Sequence, residues 1–239
     1  MKVWQGAAST VWPRPGSGDG VLPPLLLLLT VISGLVDAAS FLKLGHVFVA
    51  NMTGNVVLLG FAVAGAGGLS VSASLVAVAL FLVGGVVAGR LVAHLGDDRE
   101  RLLRDSTALQ LVLVVAAVVV AAVSGDPVGG VRLYAVIVLL GVAMGLQNGT
   151  ARGLAVPDLT TTVLTQTLTG IAADSWLDRG SSIGRRLLSV AAMLLGAFIG
   201  GVLALRVGTA APLGMAALLI AATCGAAQIT HIRRRQAQR

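Results

Sequence analysis

Two stretches that lie 112 residues apart decide the fold: residues 82–96 read LVGGVVAGRLVAHLG, and residues 194–208 read LLGAFIGGVLALRVG. When they are superposed, three glycines coincide in order: Gly84 with Gly196, Gly89 with Gly201 and Gly96 with Gly208. At the same offset Thr53 meets Thr165, and at an offset shorter by one residue Gly34-Leu35-Val36-Asp37 meets Gly145-Leu146-Gln147-Asn148. The ordered matches predict that the chain is an internal duplication.

The composition places both halves in a lipid bilayer. Hydrophobic residues make up 56% of the 239 residues and charged residues only 11%, whereas a soluble domain carries about 25% charged residues. The mean hydropathy is +0.92. Because backbone amides in lipid must be hydrogen-bonded internally, continuous apolar runs of this length predict helices. The predicted fold class is therefore all-α, a polytopic transmembrane helical bundle.

Eight apolar segments follow one another along the chain. They span about 21–44, 47–67, 72–95, 107–124, 130–151, 160–176, 187–206 and 209–230. We predict a disordered cytoplasmic tail at 1–20, membrane repeat one at 21–125, membrane repeat two at 130–230 and a basic cytoplasmic tail at 231–239.

The distribution of Lys and Arg favours a particular topology, because cytoplasmic loops carry an excess of both residues. If segments 47–67 and 160–176 are broken or re-entrant, 13 of the 17 basic residues fall on one face and three on the other. Each half then crosses the membrane three times, which makes the repeats inverted. The alternative is eight full crossings with parallel repeats. Either way, we expect a bacterial cytoplasmic (inner) membrane protein with both termini in the cytoplasm.

Polar side chains inside the apolar segments define the candidate site. An ionised carboxylate at the bilayer centre costs about 2.5–3.5 kcal/mol on insertion scales. We therefore expect the Asp37 side chain to face a partner group or a water-filled cavity. The duplication pairs Asp37 with Asn148, and inverted-repeat transporters bind substrate where such positions meet near the midplane. The predicted substrate-binding residues are Asp37, Asn51, Thr53, Asn55, Gln147, Asn148, Thr165 and Thr167.

The same residues admit a structural interpretation. Short polar side chains often hold membrane helices together, at about 0.6 kcal/mol for each hydrogen bond. The two functional hypotheses are therefore a small-molecule transporter or channel, and a membrane scaffold or subunit without transport. The motifs Gly85-x-x-x-Gly89 and Gly196-x-x-x-Gly200 let helix backbones approach closely, and they predict that segments 72–95 and 187–206 cross each other.

Other classes of function lack a signature. The net charge of +7 is explained by the excess of Lys and Arg in cytoplasmic loops, which face anionic lipid headgroups. Because no basic patch is interleaved with aromatic residues, we expect no nucleic-acid partner. Cys224 is the single cysteine, and no cluster of metal ligands or catalytic motif is present. We expect no enzyme activity, no cofactor and no metal. The expected partners are the lipid bilayer and an unidentified small molecule. A homo-oligomer is a further possibility that the sequence leaves open.

Residues 33–65, SGLVDAASFLKLGHVFVANMTGNVVLLGFAVAG, together with the polar stretch from Gly145 to Gly170, resemble the YoaK-like bacterial membrane proteins, a domain family of unknown function. The resemblance covers roughly residues 20–232. It implies a bacterial cytoplasmic-membrane protein of about this length and no established substrate. One departure is Gln166, which stands where a mirror of Gly54 would be glycine.

Overall fold

The computed structural model of the chain describes residues 2–13, 19–156, 169 and 180–237. The described residues form eight α-helices. In chain order they are α1 (Lys2–Val11), α2 (Leu22–Lys43), α3 (Met52–Val63), α4 (Val71–Leu95), α5 (Arg99–Ser124), α6 (Gly130–Leu154), α7 (Gly180–Arg206) and α8 (Ala210–Ala237).

Six of these helices are long and apolar enough to cross a membrane: α2 and α4 to α8. The prediction of a polytopic helical bundle is confirmed. Helix α3 has 12 residues and is about 18 Å long at 1.5 Å per residue, too short for about 30 Å of hydrocarbon.

Side-chain caps fix where several helices begin. Asn51 accepts a hydrogen bond from the N–H of Gly54 at the start of α3, Ser70 accepts one from Ala73 at the start of α4, and Asp98 accepts one from Arg101 at the start of α5. Each cap satisfies an N–H that has no partner within its own helix. Helix α5 thus begins inside the polar stretch 96–106 and extends beyond its apolar run.

Contacts between helix ends define two faces of the bundle. On one face, the Asp126 carboxylate accepts hydrogen bonds from Lys43 Nζ at 2.8 Å and Thr209 Oγ1 at 2.7 Å, and the Ser72 and Tyr134 hydroxyls lie 2.7 Å apart. We call this the outer face. The hydrogen bond from Lys43, followed by the one from Thr209, holds the pKa of Asp126 below its ordinary value.

The basic face lies at the other end of the helices. There Arg99 binds the Asp19 carboxylate at 3.1 Å and also donates to the carbonyl of Leu154. His231 Nδ1 lies 3.4 Å from Asp98 Oδ2. These contacts bring the start of α2, the start of α5, the end of α6 and the last turns of α8 to the same face.

The two sets of contacts give every long helix a direction. Helices α2, α5 and α7 run from the basic face to the outer face, and α4, α6 and α8 run back. Because α2 ends on the outer face and α4 begins there, segment 47–67 enters and leaves on one face, as the six-crossing prediction requires. The helices that correspond in the two halves run in opposite directions: α2 and α6, α4 and α7, and α5 and α8. The predicted segment 160–176 lies almost wholly outside the described residues.

The closest helix contacts occur in two equivalent pairs, α4 with α6 and α2 with α7. A Cβ on Gly84 would lie 2.7 Å from the backbone N of Leu146, and a Cβ on Gly34 would lie 2.5 Å from the carbonyl O of Met193. The backbones touch at both crossings, so only glycine fits. The prediction that α4 and α7 cross each other through their glycine motifs is wrong in its partners: Gly196 packs on α2, and a Cβ on Gly85 or Gly89 would meet nothing within 4 Å among the described residues.

The amino-terminal tail differs from the predicted disorder. Residues Lys2–Val11 form α1, which packs mainly against α7. On α1, Gly6 and Thr10 lie one turn apart and are both buried. At the other terminus, α8 continues to Ala237, into the segment predicted as a basic tail.

Candidate functional site

A re-entrant loop follows α2 and returns into the bundle. The chain turns at Gly45 and His46, which both have positive φ (82° and 57°), and the following Val47, Val49 and Ala50 are buried. The N–H groups of Val49 and Ala50 bind Asp37. Since Asp37 lies six residues before the end of α2, the loop descends about 9 Å from the outer face before α3 begins.

Asp37 fixes the depth of this loop with one of its two carboxyl oxygens. Its Oδ1 accepts the N–H groups of Val49 at 3.0 Å and Ala50 at 2.8 Å, and the N–H of Asn51 lies close to the same group. The amino terminus of α3 thus points at the carboxylate, and its partial positive charge favours an anion there. Among the residues that the structure describes, the other oxygen, Oδ2, has no hydrogen-bond partner, and the side chain is only 3% exposed.

Two predicted site residues hold the loop in place. The Asn55 side chain pairs with the backbone of Phe48, accepting from its N–H at 2.8 Å and donating to its carbonyl. Asn51 caps α3. Both side-chain amides thus form hydrogen bonds with backbone groups of the re-entrant segment. A helix that is interrupted within a membrane requires such side chains, because its free backbone N–H and C=O groups must be hydrogen-bonded. The third predicted residue, Thr53, is exposed.

In the second half, Gln147 is the centre of a buried network between three helices. Its Nε2 donates to the Ser33 hydroxyl at 2.8 Å and to the Leu29 carbonyl at 3.1 Å, both on α2. Its Oε1 accepts from Gln110 Nε2 of α5 at 2.7 Å. The neighbouring Asn148 donates to the carbonyl of Met144 within α6.

The predicted residues therefore do not converge on one point. Gln147 meets α2 at Leu29 and Ser33, which are eight and four residues before Asp37, or about 12 and 6 Å along the helix. No hydrogen bond described in the structure joins Asp37 to Asn148, and Thr165 and Thr167 lie outside the described residues. The two halves are connected instead through Ser33, one turn from Asp37 and bound to Gln147.

Sequence reasoning missed Ser33 and Gln110. Ser33 stands one helical turn before Asp37, so it shares a helix face with it. Gln110 is a long polar side chain in an otherwise apolar run. Both signals were present, but a single hydroxyl or amide in a membrane helix does not reveal its partner.

These features define the chain as a polytopic membrane protein with a re-entrant segment and a buried polar network. Residues 25–225 match the family described as "Protein of unknown function (DUF1275)". The chain belongs to this family.

A curated relative is the "UPF0700 transmembrane protein YoaK" of Bacillus subtilis (strain 168), which is 35% identical over 150 residues, 63% of this chain and 65% of the relative. The matched part of the chain thus spans less than two thirds of that protein's length. The resemblance to YoaK-like proteins is confirmed. No solved structure matches the chain.

Proposed function

We propose that the protein is a small-molecule transporter or channel in which Asp37 takes up a proton or a monovalent cation. One observation carries the proposal. Asp37 uses one oxygen to hold the re-entrant loop, while its other oxygen is buried and has no partner in the part of the chain that the structure describes.

A purely structural role would be served at lower cost by a neutral side chain. Asparagine offers one carbonyl oxygen and could accept the same two N–H groups. An acidic side chain in a membrane interior is costly, and intramembrane acids usually mark ion or substrate pathways. The unpartnered Oδ2 is the atom at which a proton or a cation would bind.

The attachment of the loop gives such binding a mechanical consequence. The carboxylate attracts the Val49 and Ala50 N–H groups more strongly when it is ionised, because charge-assisted hydrogen bonds are roughly twice as strong as neutral ones. Protonation or cation binding at Oδ2 would therefore weaken the hold on the loop. The occupancy of Asp37 would then be coupled to the position of the re-entrant segment.

The architecture supports the same proposal. Transporters built from inverted repeats place their sites at interrupted helices near the bilayer midplane, where half-helix termini face charged groups. Here the amino terminus of α3 faces Asp37. We further propose that the basic face is cytoplasmic, on the rule that Lys and Arg accumulate on that side, and that the membrane is the bacterial inner membrane.

Proteoliposome flux tests the proposal. Vesicles with the full chain and a potassium gradient set by valinomycin would be assayed for proton entry with trapped pyranine, for ²²Na⁺ uptake, and for uptake of a panel of labelled metabolites. We expect the wild type to move at least one probe with pH or Na⁺ dependence, and Asp37→Asn to lose that dependence. The matched control is Asp97→Asn, which removes a charge from the exposed turn between α4 and α5.

The scaffold hypothesis has its own supporting observation. Asn55, Gln147 and Asp37 Oδ1 all bind groups of the protein itself. If the protein is a scaffold, the wild type moves no probe at all, and Asp37→Ala lowers stability and expression alone. Normal dependence on pH and Na⁺ in Asp37→Asn would refute the role proposed for the carboxylate.

A further inference from the structure

The second carboxyl oxygen of Asp37 lies in tightly packed surroundings. Oδ2 has almost no surface that a water molecule could touch, and the whole side chain is only 3% exposed. Val49 and Ala50, the loop residues bound to the same carboxyl group, are also buried. An atom that adjoined a cavity large enough for one water molecule would have such a surface. Within the part of the chain that the structure describes, no water-sized cavity therefore adjoins Oδ2.

The backbone groups next to this carboxyl are hydrogen-bond donors. The N–H groups of Val49 and Ala50 bind Oδ1 at 3.0 and 2.8 Å, and the N–H of Asn51 lies close to the carboxyl. Together they form the amino terminus of α3, which carries a partial positive charge. These N–H groups stabilise an ionised carboxylate, but they cannot act as ligands of a metal ion, and they repel one.

The hydroxyl groups on the neighbouring turns of α2 are bonded elsewhere. Ser33 accepts from Gln147 Nε2 at 2.8 Å and donates to the carbonyl of Leu29 at 3.2 Å. Ser40 donates to the backbone carbonyl of Asp37 at 3.2 Å. Both serines are buried, and neither hydroxyl is a hydrogen-bond partner of Oδ2.

No charged side chain among the described residues acts on the Asp37 carboxyl. The nearest along the chain are Lys43 and His46, toward the outer face. In the middle of α8, Cys224 contacts the carbonyl of Arg104 on α5 at 3.6 Å. The other ionisable groups of the helices packed against α2 lie near helix ends: Arg132, Tyr134 and Arg152 on α6, Arg185, Arg186 and Arg206 on α7, and His231 and Arg233 on α8.

We infer that the ion taken up by Asp37 is a proton, which binds Oδ2. A hard metal ion needs space and several oxygen ligands at once, and the described residues provide neither beside Oδ2. A proton needs only a lone pair of the oxygen, and it removes the charge that makes a carboxylate costly in a membrane. The O–H bond forms with a proton that water supplies, and it breaks when the proton returns to water.

Exchange of this proton with water requires a local opening, because Oδ2 has almost no exposed surface. The loop that Oδ1 holds is the element that protonation itself loosens, since a neutral carboxyl binds the Val49 and Ala50 N–H groups more weakly. Protonation and release of the loop therefore favour each other. The place of this step in a transport cycle rests on the proposed function, whereas proton binding itself does not.

Amide hydrogen exchange of the loop tests the inference in the purified full-length protein. Deuterium uptake by the peptide that contains Val49 and Ala50 would be followed by mass spectrometry from mildly alkaline to mildly acidic pH. Exchange of a bonded amide reports how often its bond opens, once the intrinsic effect of pH on exchange is removed. Loss of charge assistance weakens a hydrogen bond by an amount that corresponds to about fivefold in this opening.

We therefore expect the corrected exchange of the wild-type loop to rise about fivefold on acidification. It should not respond to pH in Asp37→Asn, and it should keep the wild-type response in the matched control Asp97→Asn, which removes an exposed carboxylate. Replacement of choline by Na⁺ or K⁺ at constant pH should leave the exchange of the wild-type loop unchanged.

Two results would overturn the inference. One is a response of the wild-type loop to Na⁺ or K⁺ at constant pH, which would show that a metal ion binds the carboxylate. The other is the same pH response in wild type and Asp37→Asn. If Asp37→Asn does not fold, the comparison of ions in the wild type still decides, and Asp37→Glu, which keeps a carboxyl group, should retain the pH response; its loss there would also contradict proton binding.

The outcome is separable from that of the flux assay. A loop that responds to pH through Asp37, in a protein that moves no probe, would leave proton binding standing and refute transport. Uptake of ²²Na⁺ that depends on Asp37 would support the proposed function and overturn the assignment of the proton.

Discussion

Replacement of Asp37 by alanine or by asparagine separates the structural role of this side chain from its charge. Alanine leaves the N–H groups of Val49 and Ala50 without an acceptor. A buried donor without a partner costs about 1–3 kcal/mol, so two such donors cost roughly 2–6 kcal/mol. Asparagine keeps one oxygen for both donors and removes the charge from the bilayer. We expect the free energy of unfolding of Asp37→Asn to stay within about 1 kcal/mol of the wild-type value. The neutral oxygen binds the two N–H groups more weakly, whereas removal of the charge from the bilayer stabilises the protein.

The assay is thermal unfolding of the purified protein in detergent, followed by loss of the monodisperse peak in size-exclusion chromatography. For a chain of this size 1 kcal/mol corresponds to about 2–4 °C in Tm, so alanine should lower the Tm by at least about 4 °C. Asparagine should lower it by less than that. An equal loss in both variants, or no loss in alanine, would refute the conclusion that the Asp37 carboxyl holds the loop through hydrogen bonds.

The remaining predictions concern packing, pH and topology. Gly84→Ala should destabilise the protein by about 1–3 kcal/mol because the added Cβ would overlap the α6 backbone. A Cβ on Gly85 would meet nothing within 4 Å, so Gly85→Ala should be neutral or stabilising. Comparable Tm values for the two variants would contradict the crossing of α4 and α6 at Gly84. The outer-face ion pair lowers the folded-state pKa of Asp126 below its ordinary value of 3.8, so its contribution is present above that pH and is lost as the pH falls through the folded-state value. A surface ion pair contributes no more than about 1 kcal/mol to the free energy of unfolding. The Tm of wild type should therefore exceed that of Asp126→Asn by a small, constant amount near neutrality, and the difference should vanish on acidification; a difference that grows in acid would contradict the assignment. In a cysteine-free background, Asp97→Cys and Gln236→Cys should label from the same face, and labelling from opposite faces would instead support eight crossings.

Much of the fold was predictable because a bilayer imposes simple rules on a sequence. The apolar run at 21–44 predicts both ends of α2 (Leu22–Lys43) to within one residue, whereas α5 begins eight residues before its apolar run and α8 continues seven residues beyond its own. The short α3 followed from the polar residues around Asn51 and from the balance of Lys and Arg. Helix α1 was missed, because a ten-residue helix outside the apolar segments depends on its contact with α7.

The candidate site was predictable in its residue types but not in its pairings. Asp37 stood out because a carboxylate in an apolar run is costly. Its actual partners are backbone N–H groups 12 and 13 residues later, and a sequence carries no pattern for an acceptor of that kind. The pairing of Gln147 with Ser33 joins residues 114 positions apart. It depends on how three helices pack, which the duplication alone did not determine.

The choice between Gly84 and Gly85 shows the same limit. Both lie in the repeated stretch, and the motif pointed to Gly85 with Gly89. Only the rotation of α4 about its axis decides which glycine meets a neighbour, and one position in a helix changes the direction of a side chain by about 100°.

Infrared difference spectroscopy of the reconstituted protein observes the Asp37 carboxyl group itself, and so shows whether it takes up a proton or a cation. Spectra of wild type and Asp37→Asn would be compared across a pH titration and a Na⁺ titration. We expect a carboxyl signal that responds to one of the two ions in the wild type and is missing from the variant. Spectra that respond identically in both proteins, in both titrations, would show that Asp37 takes up neither ion.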